Sequence, residues 1–213
     1  MKTEDLVAML ATNVEAVPRK AASRQIALAL AVGLPLSLLL MATEYGVRRD
    51  LLTAFGWPMF WVKLLVPLCI AVFGFVTVQR LARPGVPPRR AWLGIVAPVL
   101  FIWLLGALVL MSAPADVRSS LILGQTWRSC VFNIVAISAP IFVASLWALK
   151  HLAPTRPAAA GAAAGAMSAG AGAAVYALHC PELAAPFLAI WYVIGMALPV
   201  LAGAAIGPRV LRW

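Results

Sequence analysis

Three cysteines are the residues of this chain with the clearest capacity for chemistry. Cys130 lies in the segment WRSCVFN, Cys180 in YALHCPE, and Cys69 in the apolar segment LVPLCIAV. A thiolate is a nucleophile and a ligand for soft metal ions, provided that its surroundings stabilise the negative charge. No C-x-x-C spacing occurs, which counts against a membrane thiol oxidoreductase that works with a close cysteine pair. The chemistry open to these cysteines therefore depends on the elements that position them.

The composition indicates a protein of the lipid bilayer. Hydrophobic residues occupy 63% of the 213 positions and charged residues only 11%. A bilayer core about 30 Å thick needs about 20 apolar residues per helix. Segments of that kind cover residues 25–43, 58–78, 91–111, 130–149, 158–178 and 187–206. Helices satisfy their own backbone hydrogen bonds in lipid, and the alternating ten-residue segments of a β-barrel do not occur. The predicted fold is an all-α polytopic membrane bundle of six transmembrane helices.

The basic residues predict the orientation of this bundle. When the loops are assigned alternately to the two sides, twelve of the seventeen Lys and Arg residues fall on one side and five on the other. The positive-inside rule places the twelve in the cytoplasm. Both termini are therefore predicted to be cytoplasmic. The net charge of +10 then reflects topology and contact with lipid headgroups rather than binding of nucleic acid.

This topology predicts that Cys130 and Cys180 lie at the same depth, on the outer side, where they can react readily. Cys69 lies near the middle of the second helix, in hydrocarbon, and should be inert. An outer cysteine pair fits a structural disulfide, a redox sensor, or a soft-metal site with His179 or Glu182 as auxiliary ligands. Two unrelated interfacial cysteines fit the spacing as well.

Lys63, in PMFWVKLL, is the one ionisable residue well inside a predicted helix. It lies about a turn and a half from the outer end, and its flexible stem can carry the ammonium outward to the interface. No Asp, Glu or His lies at mid-depth in any predicted helix, which counts against a proton- or sodium-coupled transporter.

The fifth predicted helix consists almost entirely of alanine and glycine. Gly161 and Gly165 form a G-xxx-G pair, a spacing that lets membrane helices approach closely. A helix with so little side-chain bulk is poorly suited to face lipid. We therefore expect it at the centre of the bundle, surrounded by larger neighbours.

Residues 1–24 are the one sizeable segment before the first helix, and they carry an apolar stripe. Its members lie at i, i+4, i+8 and i+11, on one face of a helix: Leu6, Leu10, Val14 and Val17. A helix this short becomes stable by docking its stripe into a groove of a partner, or by lying on the inner membrane surface. We expect residues 1–24 to bind a partner and residues 25–213 to form the transmembrane domain.

The whole chain resembles the NrsF family (negative regulator of sigma F), integral membrane anti-sigma factors of bacteria. The most specific matching segments are APTRPAAAGAAAGAMSAGAGAAVYALHCPE, FLAIWYVIGM and GPRVLRW, together with KTEDLVAMLA, FWVKL, LARPG and Cys130. The resemblance implies a multi-pass protein of the inner membrane whose N-terminal segment sequesters an extracytoplasmic-function RNA polymerase sigma factor. It implies release on an outside signal, such as chromium or cadmium. It also implies that a periplasm-facing cysteine pair matters for sensing, which here corresponds to Cys130 and Cys180.

The function predicted from these observations is that of a membrane-bound anti-sigma factor rather than an enzyme, since no nucleophile–base set is evident. Its expected partners are the sigma factor and membrane lipid, without direct contact to nucleic acid. No cofactor is required by this function, although a soft metal ion can bind transiently at the cysteine pair. The alternative is a small-molecule or metal-ion transporter, which the lack of mid-membrane charge and the amphipathic N-terminal segment disfavour.

Overall fold

A computed structural model describes residues 3–12, 21–83 and 85–212 of the chain. Within these ranges the secondary structure is entirely helical, without β-strands. The α-helices are α1 (Thr3–Ala11), α2 (Ala21–Leu40), α3 (Leu51–Ala54), α4 (Pro58–Leu81), α5 (Leu93–Ser112), α6 (Ala115–Leu123), α7 (Trp127–Lys150), α8 (Pro157–Tyr176), α9 (Ala185–Phe187) and α10 (Val193–Val210). Two π-helical segments extend them: Met41–Tyr45 continues α2, and Leu188–Tyr192 joins α9 to α10.

Six helical segments within the described ranges are long and apolar enough to cross a membrane, which confirms the number predicted from the sequence. They are Ala21–Tyr45, Pro58–Leu81, Leu93–Ser112, Ala115–Lys150, Pro157–Tyr176 and Ala185–Val210. The largest difference from the prediction lies before the fourth helix. Residues expected to form a loop there contain the separate short helix α6, which follows Pro114 and has Asp116 in its first turn. An acidic residue at that position is favourable because it interacts with the positive end of the helix dipole.

The helix rich in alanine and glycine forms the centre of the bundle, as predicted. Fourteen of the twenty residues of α8 are buried, and α10, α4 and α7 surround it. Gly161 of α8 faces Gly203 of α10 so closely that a Cβ on either residue would collide with the carbonyl oxygen of the other. Such an approach of two backbones is possible only where both residues lack a side chain.

Gly161→Leu is therefore expected to lower the free energy of unfolding by about 3 kcal/mol or more, because overpacking against a backbone cannot be relieved by a rotamer change. Ala159→Leu is the matched control, since Ala159 lies on the same helix but is exposed. Thermal unfolding of both variants in detergent, followed by tryptophan fluorescence, measures the difference. Equal unfolding temperatures for the two variants would contradict the close α8–α10 packing.

The first transmembrane helix has a more peripheral position. α2 packs mainly against α7, and the Ser37 hydroxyl donates a hydrogen bond of 2.6 Å to the carbonyl oxygen of Ile137. Gly33 permits this approach, because a Cβ there would lie 2.6 Å from the Ile141 Cα. The helix that follows the N-terminal segment is thus attached to the helix that begins near Cys130.

Candidate functional site

The structure brings Cys130 and Cys180 into one cluster. Cys130 lies in the first turn of α7, and Cys180 lies in the segment that follows α8, residues 177–184, which we call the Cys180 loop. Both side chains belong to the same apolar core cluster. Tyr176, at the end of α8, belongs to this cluster as well. The prediction that these two cysteines lie at the same end of the bundle agrees with this arrangement.

The expected accessibility of the pair is corrected by the structure. Cys130 and Cys180 are each 0% exposed, whereas Cys69, on the surface of α4, is exposed. The reason is that the Cys180 loop and the start of α7 pack together with the aromatic side chains Phe187 and Tyr192. A reagent therefore reaches either thiol of the pair only by diffusing through the packed cluster or after the cluster has opened locally.

All three cysteines carry free thiols. Among the residues that the structure describes, no group of three or more His, Cys, Asp or Glu side chains is arranged to hold a metal ion. The described residues therefore form no multidentate cage around the two cysteines. His179 and Glu182, suggested by the sequence as auxiliary ligands, have other partners.

Glu182 caps the segment that leads into α7. Its Oε1 atom accepts hydrogen bonds from the backbone N–H groups of Gln125, at 2.6 Å, and Thr126, at 3.1 Å. Thr126 is the N-cap residue of α7, so the carboxylate lies where the unpaired N–H groups and the helix dipole favour negative charge. This role is not evident from the sequence, because these partners lie more than fifty residues away in the chain.

His179 connects the Cys180 loop to the segment after the first span, residues 46–50, which we call the Arg48 loop. Its Nδ1 lies 2.9 Å from the carbonyl oxygen of Gly46. A carbonyl oxygen only accepts hydrogen bonds, so Nδ1 carries the hydrogen and donates it. The ring also packs near those of Tyr45 and Tyr176, at centroid distances of 5.6 Å and 5.7 Å. His179 thus supports the position of the loop.

Lys63 lies inside the same cluster, which corrects the expectation that its ammonium extends outward. The residue is 1% exposed. Its Nζ donates hydrogen bonds to the carbonyl oxygens of Cys180, at 2.5 Å, and Glu182, at 2.8 Å, and it lies 5.5 Å from the centroid of the Tyr192 ring. The Cys180 loop therefore provides inside the protein the acceptors that the ammonium would otherwise find in water.

Arg48 is a second cation that binds the Cys180 loop. Its Nη1 donates to the Cys180 carbonyl oxygen at 3.2 Å, and its backbone N–H donates to the carbonyl oxygen of Leu178 at 3.0 Å. Its remaining nitrogens bind both carboxylate oxygens of Asp50, at 2.8 Å and 2.7 Å. The hydrogen bond from Arg48 lowers the pKa of the Asp50 carboxyl below its usual value. The charge of Arg48 is thus already compensated, and the Cys180 carbonyl accepts from two cations at once.

The predicted partner-binding helix is present as α1 over the described part of the N-terminal segment. Leu6 is exposed, and so are two further apolar residues of α1, Val7 and Met9, at 60% and 66%. Leu10 lies in α1 as well, whereas Val14 and Val17 lie outside the described residues. Exposed apolar side chains concentrated on so short a helix are typical of a docking surface. The apolar face of α1 is broader than the single stripe predicted from the sequence.

Comparison with known proteins identifies relatives over the full length of the chain. A family model described as NrsF, negative regulator of sigma F, matches residues 10–213. The chain is 44% identical to the probable anti-sigma-F factor NrsF of Azospira oryzae and 39% identical to the anti-sigma-F factor NrsF of Caulobacter vibrioides, with all of each chain covered. No solved structure matches. The length of the match and the level of identity together show that the chain belongs to the NrsF family.

Proposed function

We propose that this protein is a membrane anti-sigma factor that sequesters an RNA polymerase sigma factor of the extracytoplasmic-function class. The observation that carries the proposal is the full-length similarity to two relatives that are named anti-sigma-F factors. The six membrane-spanning segments support a location in the bacterial inner membrane. The distribution of basic residues supports cytoplasmic termini, on the side where a sigma factor is found.

The contact with the sigma factor is assigned to α1 and the residues that follow it. Leu6, Val7 and Met9 present exposed apolar surface, and Leu10, Val14 and Val17 continue the stripe in the sequence. An amphipathic helix of this kind binds by laying its apolar face in a hydrophobic groove. While α1 occupies this groove, the sigma factor cannot bind RNA polymerase. The membrane domain confines the complex to the membrane.

The signal is assigned to Cys130 and Cys180, on the periplasmic side. Two free thiols in one core cluster can respond in two ways. A soft metal ion can bind transiently to both sulfur atoms, with loss of the thiol protons. Alternatively, the two thiols form a disulfide, and an external oxidant accepts the two electrons and two protons. Neither route needs a resident cofactor.

Two sets of contacts support a route from the cysteines to the first span, which follows the N-terminal segment. The Cys180 loop is bonded to the Arg48 loop, which follows the first span directly. The first span packs against α7, in which Cys130 lies. A change in the distance between the two sulfur atoms therefore acts on both helices of the α2–α7 contact, at the end that carries the cysteines. To move a two-state equilibrium from 1:99 to 99:1, this event must favour one state by about 5.5 kcal/mol, which is of the order that a disulfide or a bound soft metal supplies.

The alternative function, transport of a small molecule or metal ion, has less support. The centre of the bundle is filled by α8, whose residues are largely buried. The buried cation Lys63 is bound by backbone carbonyl oxygens of the Cys180 loop. Transport sites in membrane bundles are generally lined by ionisable or discontinuous elements at mid-depth.

Co-purification tests the proposed function. The full-length protein, tagged at its C-terminus, is solubilised from the membranes of its own bacterium, and bound proteins are identified by mass spectrometry. We expect an extracytoplasmic-function sigma factor in amounts comparable to the bait. An unrelated six-helix membrane protein with the same tag is the control. A folded, abundant bait without any sigma factor above the control level would overturn the proposal.

A further inference from the structure

Burial of the Lys63 ammonium has an energetic cost that its two hydrogen bonds offset only in part. The ammonium is 1% exposed, and within the described part of the chain it forms no ion pair with a carboxylate. Burial of an uncompensated ammonium costs several kcal/mol even when carbonyl oxygens surround it. A neutral donor would hold the Cys180 loop at lower cost. The charge therefore needs an explanation beyond the two hydrogen bonds.

The nearby charged groups leave the ammonium of Lys63 without a fixed counter-charge. Arg48, on the same Cys180 carbonyl oxygen, is paired with Asp50 at 2.7 Å. The Glu182 carboxylate faces the backbone N–H groups of Gln125 and Thr126. The remaining titratable groups around the site are His179, Tyr176, Tyr192 and the two thiols. Of these, the thiols are the groups that gain a negative charge most readily.

We propose that Lys63 is the positioning residue that makes the buried cysteine pair reactive, by fixing the Cys180 loop and by stabilising the thiolate formed there. The proposal rests on the sensing role assigned above to Cys130 and Cys180. It explains how two thiols shielded from water can still respond to an oxidant or a soft metal ion.

The ammonium of Lys63 is placed where it can stabilise a thiolate. A thiol buried among apolar groups stays protonated and inert, and a neighbouring lysine reverses this by balancing the thiolate charge. The ammonium of Lys63 is hydrogen-bonded to the backbone of Cys180 itself, and Cys130 belongs to the same core cluster as Cys180. When a thiol proton leaves to water at the membrane surface, the site changes from a net positive charge to an ammonium–thiolate pair. Formation of the thiolate thus removes the uncompensated charge that burial of Lys63 creates.

Lys63 also fixes the position of the Cys180 loop, through its two hydrogen bonds. Nζ binds the carbonyl oxygens on either side of Pro181, those of Cys180 and Glu182. Lys63 on α4 therefore helps to fix the segment that carries Cys180, together with Arg48 and His179. Since the same loop carries the carboxylate that caps α7, it also relates Cys180 to the helix that carries Cys130.

The rate of thiol modification as a function of pH tests this proposal. Variants are prepared in a Cys69→Ser background, purified in detergent and treated with methyl methanethiolsulfonate, a small neutral reagent. The thiolate attacks its sulfur, forms a disulfide to the methylthio group and displaces methanesulfinate. Mass spectrometry counts the modified residues. Because thiol chemistry is measured rather than sigma factor release, a failure of this proposal is distinguishable from a failure of the proposed function.

Lys63→Met and Lys63→Gln are expected to slow modification of the pair at pH 7 by at least about tenfold, because they remove the buried unit charge that is hydrogen-bonded to the Cys180 backbone. Their rate–pH profiles are expected to shift to higher pH. Lys63→Arg keeps the charge and should restore much of the rate. Arg49→Gln removes an exposed cation of the Arg48 loop, and should change the rate by less than about threefold.

Unchanged or faster modification in folded Lys63→Met and Lys63→Gln would overturn the proposal. If both neutral variants fail to fold, the rate–pH profile of the protein that retains Lys63 tests the proposal instead. The proposal requires half-maximal modification of the pair at or below about pH 8.5, the ordinary value for a free thiol. A midpoint well above that value would mean that burial prevails over the charge of Lys63, and would overturn the proposal as well.

Discussion

Leu6→Asp and Leu10→Asp are expected to release the sigma factor from the membrane without any signal. Leu6 is an exposed apolar residue of α1, and a carboxylate in its place would be buried without a partner when the helix docks. Because burial of an unpaired charge costs several kcal/mol, the affinity for the sigma factor should fall at least about a hundredfold, which corresponds to about 2.7 kcal/mol. Activity of a sigma-dependent promoter in cells and co-purification with the bait both measure the effect.

Ala8→Asp is the matched control for this prediction. Ala8 is exposed on the same helix but lies about 200° around the helix axis from Leu6, so the added charge stays in water. The control should retain repression. If the Leu6 and Leu10 variants accumulate normally and still repress the promoter, the apolar face of α1 is not the contact with the sigma factor.

Cys130→Ser and Cys180→Ser are expected to abolish induction while repression stays intact. Each substitution removes one sulfur atom from a site that needs two, so the single variants and the double variant should share one phenotype. Two independent cysteines would instead show additive effects. Repression should survive because α1 is a separate element from the cluster that contains both thiols. Promoter activity with and without a soft metal salt or an oxidant measures both properties in the same cells.

Cys69→Ser is the control for the cysteine prediction, since Cys69 lies on the surface of α4 outside the cluster. Its induction should match that of the unaltered protein. Constitutive promoter activity in the Cys130 or Cys180 variants would mean that the pair maintains the repressing conformation rather than receiving the signal. Loss of induction in the Cys69 variant alone would contradict the assignment of the site.

The elements of this fold follow from the sequence because the bilayer imposes a length on each helix. Segments of about 20 apolar residues predict the six spans, and the alanine–glycine composition of α8 predicts its central position, since such a helix has little side-chain volume to face lipid. The helix α6 is harder to predict. It lies in a segment between two spans where neither length nor apolar periodicity distinguishes a short helix from a loop.

The site is predictable only in part. Topology alone places Cys130 and Cys180 at one end of the bundle, because their helices run in opposite directions. The burial of the pair, however, depends on how the Cys180 loop folds back, and that is a tertiary feature. The burial of Lys63 is a tertiary feature as well, because its two acceptors lie 117 and 119 residues further along the chain. Within its own helix, a lysine near the end is expected to extend toward water.

The most direct test of the account is the binding of a sigma factor to the full-length protein in lipid nanodiscs. The reduced protein is titrated with each purified extracytoplasmic-function sigma factor of its bacterium, before and after reaction of Cys130 and Cys180 with diamide. The account predicts that one of them binds the reduced protein with a submicromolar Kd, and that this affinity falls at least about a hundredfold after oxidation or, if the signal is a metal, after addition of a soft metal ion. The account is contradicted if folded, reduced protein binds none of these sigma factors.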